Sequence, residues 1–273
     1  MSSTTVPGII SHDLLWPADK TCIKVRFMNG EPWQRGTVQL CVWEHYHAVP
    51  MRIRFQFLKP YDTSGLSDIR VWFGEESRSL VGRDAEKHLG QQTMELNLDV
   101  PKHYTERQSR MARQHTILHE FGHALGMFHQ HLHPDFLVDW DFARLEKKSG
   151  WSAAILRDRY QPLENGREKL GPYDSLSIMH YPVGEGDTLN SVPPIGLNLV
   201  LSEGDKRYLT LAYPKPERAS SKTPKEKPSS NIAITSGGTA QARRGGSEDA
   251  TGSVAIHHKE DIYIEVLGFL GRG

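Results

Sequence analysis

The chain has 273 residues, and its 33 lysines and arginines balance 33 aspartates and glutamates. That length suits one catalytic domain of about 200 residues with a sizeable core, and a neutral total offers no electrostatic footprint for nucleic acid or an anionic membrane. No stretch approaches the roughly 20 apolar residues of a membrane span, and the opening MSSTTVPGIISHDLLWP has neither a basic leader nor a continuous apolar run. Residues 1–13 read as an N-terminal extension. Cys22 to Met28 then alternates polar and apolar residues as a strand does. Gln34 to His47 sets Val38, Cys41, Val42 and His45 at helical spacing and predicts a packing helix, with His45 and His47 as residues of its end. Met51 to Leu58 has period-two alternation, Ile69 to Phe73 is a β-rich run, and Gln92 to Leu98 alternates again. The only cysteines are Cys22, opening a strand, and Cys41, inside the helix; one bridge or two free thiols both fit.

Thr105 with Gln108 makes a capping-box pattern, so a long helix is expected to begin there. Met111, Leu118 and Leu125 recur every seven residues and predict a buried stripe. The segment HEFGHALGMFH, residues 119–129, rides on the end of this helix. His119 and His123 lie four apart and project from one face, one turn from each other. Two imidazoles so placed can share a zinc ion, whose bonds to nitrogen are roughly 2.0–2.1 Å. Glu120 stands beside that metal position, where it can take a proton from a water molecule. Gly126 can adopt a left-handed conformation without steric cost, and the resulting turn carries His129 round as third ligand. Three protein nitrogens leave one coordination position open, the mark of a catalytic site. His115, four residues before His119, is read as a supporting or core-facing residue.

A second segment, DSLSIMHYP at residues 174–182, resembles the methionine-turn of the metzincin zinc peptidases, and its S-x-M-H-Y form is similar to that of the astacin family. Three further segments look like parts of bacterial and fungal astacin-like peptidases: LWPADKTCIKVRFMNG, IRVWFGEESRSLVGRDA and LSEGDKRYLTLAYP. The likeness spans roughly residues 12 to 214. It implies an α+β, zincin-like catalytic domain with a twisted mixed sheet. The active-site helix would lie in an upper subdomain, above a smaller, mostly helical and irregular lower one. It implies zinc on His119, His123 and His129, Glu120 and Tyr181 as catalytic residues, Tyr181 as a movable fifth ligand, and Met179 packed beneath the metal. It also implies an antiparallel edge strand above the active-site helix to which substrate adds as a further strand. Thr93 to Leu98 is expected to be that edge.

The chain departs from the family in places. Animal astacins carry two disulfides in this domain, whereas only two cysteines exist here. Gln130 follows the third histidine where a glutamate that contacts the mature N-terminus is common. Upstream, no convincing prosegment motif is found. Residues 139–162 are expected to be helical with a break at Gly150, and Ser202 with Asp205 should cap a closing helix that runs to Ala212. From Lys215 to Gly252 the composition shifts to Pro, Ser, Lys, Gly and Thr and predicts a disordered linker; Val254 to Leu270 is read as a short strand or a partner-binding tail. The expected organisation is therefore 1–13 extension, 14–214 catalytic domain, 215–252 linker and 253–273 tail. The expected function is zinc-dependent cleavage of protein or peptide substrates by a monomer, with no nucleic-acid or membrane partner. A catalytically silent, zinc-stabilised binding protein on the same fold is the alternative.

Overall fold

Six short strands make one mixed sheet in the computed structural model, which describes residues 12–59, 66–160, 162, 171–190, 192–216 and 255–258. They are β1 (Cys22–Phe27), β2 (Arg54–Phe57), β3 (Ile69–Phe73), β4 (Ser77–Leu80), β5 (Met94–Leu96) and β6 (Ala255–His258). Their spatial order is β2-β1-β3-β5-β4-β6. β1 runs parallel to β2 and β3, and β3 parallel to β5. β4 is antiparallel to both β5 and β6. Parallel neighbours need a crossover, and helix α1 (Pro32–His45) supplies the one between β1 and β2.

The alternation in β1 places Ile23 and Val25 inward, where they join Phe55, Ile69 and Val71 from neighbouring strands. α1 covers them with Val38, Cys41 and Val42, and helix α2 (Glu106–Ala124) adds Ile117, Leu118 and Phe121. Phe121 meets Phe55 edge-on at 5.1 Å between ring centroids. Of the expected stripe, Leu118 and Leu125 are fully buried and Met111 only partly. A second, smaller core gathers Phe136, Trp140, Leu145, Leu156 and Val183 around helices α3 (Phe142–Ser149) and α4 (Ala153–Tyr160). Gly150, at φ 71°, breaks these two helices as expected. The closing helix α5 (Glu203–Ala212) returns to the main core through Tyr208 and Leu209.

Both sequence-predicted caps form. Thr105 Oγ1 accepts from Gln108 N, and Ser202 Oγ accepts from Asp205 N. α1 starts earlier than predicted, at Pro32, because Glu31 and Gln34 build a capping box there. His47 lies beyond the helix and accepts a hydrogen bond from Phe55 N. The run Met51–Leu58 contributes only Arg54–Phe57 to the sheet; Arg52 N turns instead to the Tyr213 carbonyl. Cys22 and Cys41 are both free thiols, and burial pushes Cys41 up to about 12.

The expected edge strand is misplaced. β5, the core of Thr93–Leu98, lies between β3 and β4, and all three of its residues are buried. The antiparallel strand is β4, a segment with no periodic apolar signal. Most of the predicted linker and of the N-terminal extension falls outside the described residues. No helix among the described residues is long and apolar enough to cross a membrane.

Candidate active site

The C-terminal end of α2 builds the site. A helix end leaves carbonyls without intrahelical partners, and here distant side chains take them up. Trp16 Nε1 donates to Ala124 O at 2.8 Å, Tyr213 Oη to Leu125 O at 2.9 Å and Tyr208 Oη to Gly126 O at 3.0 Å. Gly126 takes φ 84°, a left-handed turn that an L side chain would strain, and an added Cβ would also meet Leu15 Cδ2 at 2.9 Å. The chain thereby reverses and brings His129 back against α2.

His119, His123 and His129 converge and are all buried. Their Nε2 atoms stand 3.1 Å (His119 to His129) and 3.0 Å (His123 to His129) apart. The other ring nitrogens of the two helical histidines face acceptors: His119 Nδ1 lies 2.9 Å from Ile178 O, and His123 Nδ1 lies 2.8 Å from Met127 O. A carbonyl can only accept, so each Nδ1 carries the proton and each Nε2 turns a lone pair inward. One N–H on His129 could fully satisfy only one of these lone pairs, whereas a shared cation satisfies both. Three nitrogens on one tetrahedral zinc with bonds near 2.0–2.1 Å would stand about 3.3 Å apart, so the donor set fits zinc. Burial pushes His123 down to about 4, which keeps it neutral and ready to ligate at ordinary pH.

The methionine-turn closes the site from below. Met179 is fully buried, and its Sδ would lie 2.5 Å from a Cβ placed on Gly122, so only glycine allows this approach within α2. The turn is anchored by α5. Asp205 accepts from Ser177 Oγ at 2.6 Å, Ile178 N at 2.8 Å and Ser202 N at 2.9 Å. Since the Ile178 carbonyl orients His119, the start of α5 is linked to a metal-binding nitrogen through two residues.

Glu120 and Tyr181 are buried at the same place. The Tyr181 ring lies 4.5 Å from the His129 ring and 6.3 Å from the His119 ring, between centroids. Burial holds the Glu120 carboxyl well above its ordinary value; it also raises the Tyr181 phenol, to which the Glu120 charge adds. His115 stays outside the triad, its Nδ1 2.7 Å from Asn198 O. His133 is likewise separate, 2.7 Å from Gly171 O. Gln130 is buried and ties the ligand loop to the turn: its N donates to Met179 O, and its Oε1 accepts from Asp174 N.

Two residues near the site have roles that the sequence does not show. His131 stacks on Tyr181 with ring centroids 4.0 Å apart and 21° between planes. Asp205 was recognised only as a helix cap. Neither role has a local signal, because each partner lies tens of residues away in sequence.

Comparison with known proteins agrees with this geometry. The family model for the astacin peptidases matches residues 104–195, the span from the start of α2 through the methionine-turn. A solved structure of myroilysin aligns over 77% of this chain and 100% of its own, at 28% identity and a TM-score of 0.65. A second myroilysin crystal structure covers 74% of this chain and 86% of its own, at 29% identity and a TM-score of 0.52. High choriolytic enzyme 1, a hatching enzyme zinc-protease from Oryzias latipes (medaka fish), aligns over 78% of this chain and 96% of its own, at 17% identity and a TM-score of 0.46. No curated protein matches by sequence. The motif segment, the fold and the converging histidines agree, and together they make the chain similar to the astacin zinc metallopeptidases.

Proposed function

We propose that residues 14–214 form an endopeptidase domain, with 1–13, 215–252 and 253–273 as appended segments, and that Glu120 is its general base. The observation that carries this reading is the convergence of three buried imidazole Nε2 atoms beside a buried carboxyl and a buried phenol. His119, His123 and His129 would hold zinc and leave one coordination position open. Bound there, zinc supplies a Lewis acid, lowers the pKa of water from 15.7 toward about 7, and favours the ionised form of the adjacent Glu120 carboxyl.

Glu120 follows His119 on α2, so the same helical turn fixes both. Its carboxylate takes the proton of the attacking water and returns it to the departing amine nitrogen. Tyr181 presents a phenol O–H whose high pKa keeps the proton on oxygen, so it donates to the oxyanion that develops on the peptide carbonyl. The buried ring of His131 and the partly buried ring of Tyr160, 4.0 Å and 6.1 Å from the Tyr181 ring, limit where that phenol can move. The presence of both Glu120 and Tyr181, buried beside the histidines, supports the endopeptidase reading over a silent binder.

The test is Glu120→Gln beside wild type, with zinc content and casein cleavage measured together. The expected result is one zinc per chain in both proteins and a loss of about 10²–10⁴-fold in turnover for the variant. Turnover within a few-fold of wild type, with zinc retained, would remove Glu120 from the mechanism.

A further inference from the structure

β4 is the sheet strand tied most closely to the metal helix. α2 packs against it. Val81, just past its end, shares a small cluster with Phe128, the residue before ligand His129. One residue further, a Cβ on Gly82 would lie 3.5 Å from the Cα of Gly126, in the turn between the second and third ligands. An extended segment paired along the outer side of β4 therefore runs alongside the histidine triad. That side is taken by the chain itself. Ala255–His258 pairs antiparallel with β4 in a continuous register: Leu80 with Ala255, Ser79 with Ile256, Arg78 with His257 and Ser77 with His258. The tail strand belongs to the same compact unit as the sheet.

A sheet edge offers alternate N–H and C=O groups to any extended chain, whatever its side chains. Inside, β4 is fixed by more than its ladder: Arg78 pairs with the buried Glu95 carboxylate at 2.7 Å, and Ser77 Oγ accepts from Asn97 N at 3.0 Å. The edge therefore persists when its outer partner leaves. We propose that Ala255–His258 is a resident occupant of the outer side of β4, an internal competitor that an incoming extended substrate must displace. This proposal rests on the endopeptidase reading for what the dock serves, but not for the docking itself.

Tethering makes such a competitor effective. A linked segment at an effective concentration on the order of 1 mM, with an intrinsic dissociation constant near ~0.1 mM, raises an apparent KM about tenfold. It is reversible and needs no cleavage for release.

The experiment uses the full chain with Ile256→Pro and His257→Pro combined. Proline removes the N–H and constrains φ, and two adjacent positions cover both phases of an antiparallel ladder. Three quantities are read: amide hydrogen exchange of Ser77–Leu80, anisotropy of a labelled VAIHHK peptide (residues 254–259) added in trans, and KM for a peptide substrate. The expected result is faster exchange on β4 in the variant, peptide binding at least fivefold tighter to the variant than to wild type, and KM about tenfold lower with kcat unchanged. Unchanged exchange on β4, or equal peptide binding by the two proteins, overturns the dock. Faster exchange and tighter binding with an unchanged KM overturns the competition with substrate. If neither protein cleaves any peptide while exchange and binding behave as expected, the endopeptidase reading fails and the dock stands.

Discussion

His115 lies one helical turn before His119, their ring centroids 5.5 Å apart, yet its Nδ1 faces the Asn198 carbonyl at 2.7 Å. Its role is that of a buried neutral donor that fastens the 198 loop to α2. Burial pushes its pKa down to about 4, and the hydrogen bond to the carbonyl only partly opposes this. In the unfolded chain the same group titrates near 6.5. Between those values the unfolded state binds the extra proton, so the stability due to His115 is fully present above about 6.5 and is lost as pH falls toward 4. From pH 7 to pH 5 that loss amounts to about 2 kcal/mol. His115→Asn keeps a donor for the Asn198 carbonyl and removes the titration. Urea unfolding of zinc-free protein at the two pH values should therefore show a wild-type drop about 2 kcal/mol larger than that of the variant. Parallel drops in both proteins would show that His115 ionises freely in the fold.

At the scale of elements, α5 does more than close the domain. Its third residue, Asp205, receives three donors, two of them from the methionine-turn 27 and 28 residues earlier in sequence. Burial raises its pKa to about 6 even though those hydrogen bonds oppose the shift. Asp205→Asn would set an amide N–H₂ against N–H or O–H donors, at a cost of about 1–3 kcal/mol. It would also loosen the Ile178 carbonyl that orients His119, so zinc affinity should fall about 10–100-fold, as for other groups that position metal ligands. Competition with a chelator measures this directly. An affinity within twofold of wild type would mean that His119 is oriented without help from α5.

The same residues show what could be read from sequence. Ser202 with Asp205, Thr105 with Gln108 and Gly150 were legible because a cap or a left-handed stop is chemistry within three or four residues. The metal triad was legible because helical spacing and one glycine turn define it. Asp205's hold on Ser177 was not, since only the tertiary fold brings them together. β4 escaped for a different reason. Its inward positions are Ser77 and Ser79, both buried, while Arg78 and Leu80 are only partly covered, so the usual apolar alternation is absent. β5 then took the edge role in the sequence reading. Its polar Glu95 is buried against Arg78, a partner that only the fold supplies.

For the molecule as a whole, the triad sits where two cores meet. His119 and His123 come from α2, which is built into the large core of sheet and helices. His129 lies past the Gly126 turn, and the chain from there leads within a few residues to Phe136 and Trp140 of the smaller core. Val183 belongs to that smaller core, and Tyr181, two residues before it, lies 4.5 Å from the His129 ring. Zinc held by these histidines therefore links the two cores, and its removal should cost stability as well as activity. A ligand present at about 1,000 times its dissociation constant stabilises the folded state by about 4 kcal/mol. For a domain of this size that corresponds to a shift in Tm on the order of 10 °C. Thermal unfolding with and without a strong chelator should show this shift, and readdition of zinc should reverse it. Glu120→Gln should show the same shift as wild type, because its side chain is no ligand. His123→Ala should show almost none, because only two histidines remain. If all three proteins shifted equally, the stabilising zinc would be bound elsewhere in the chain; if none shifted, packing alone would hold the histidines together.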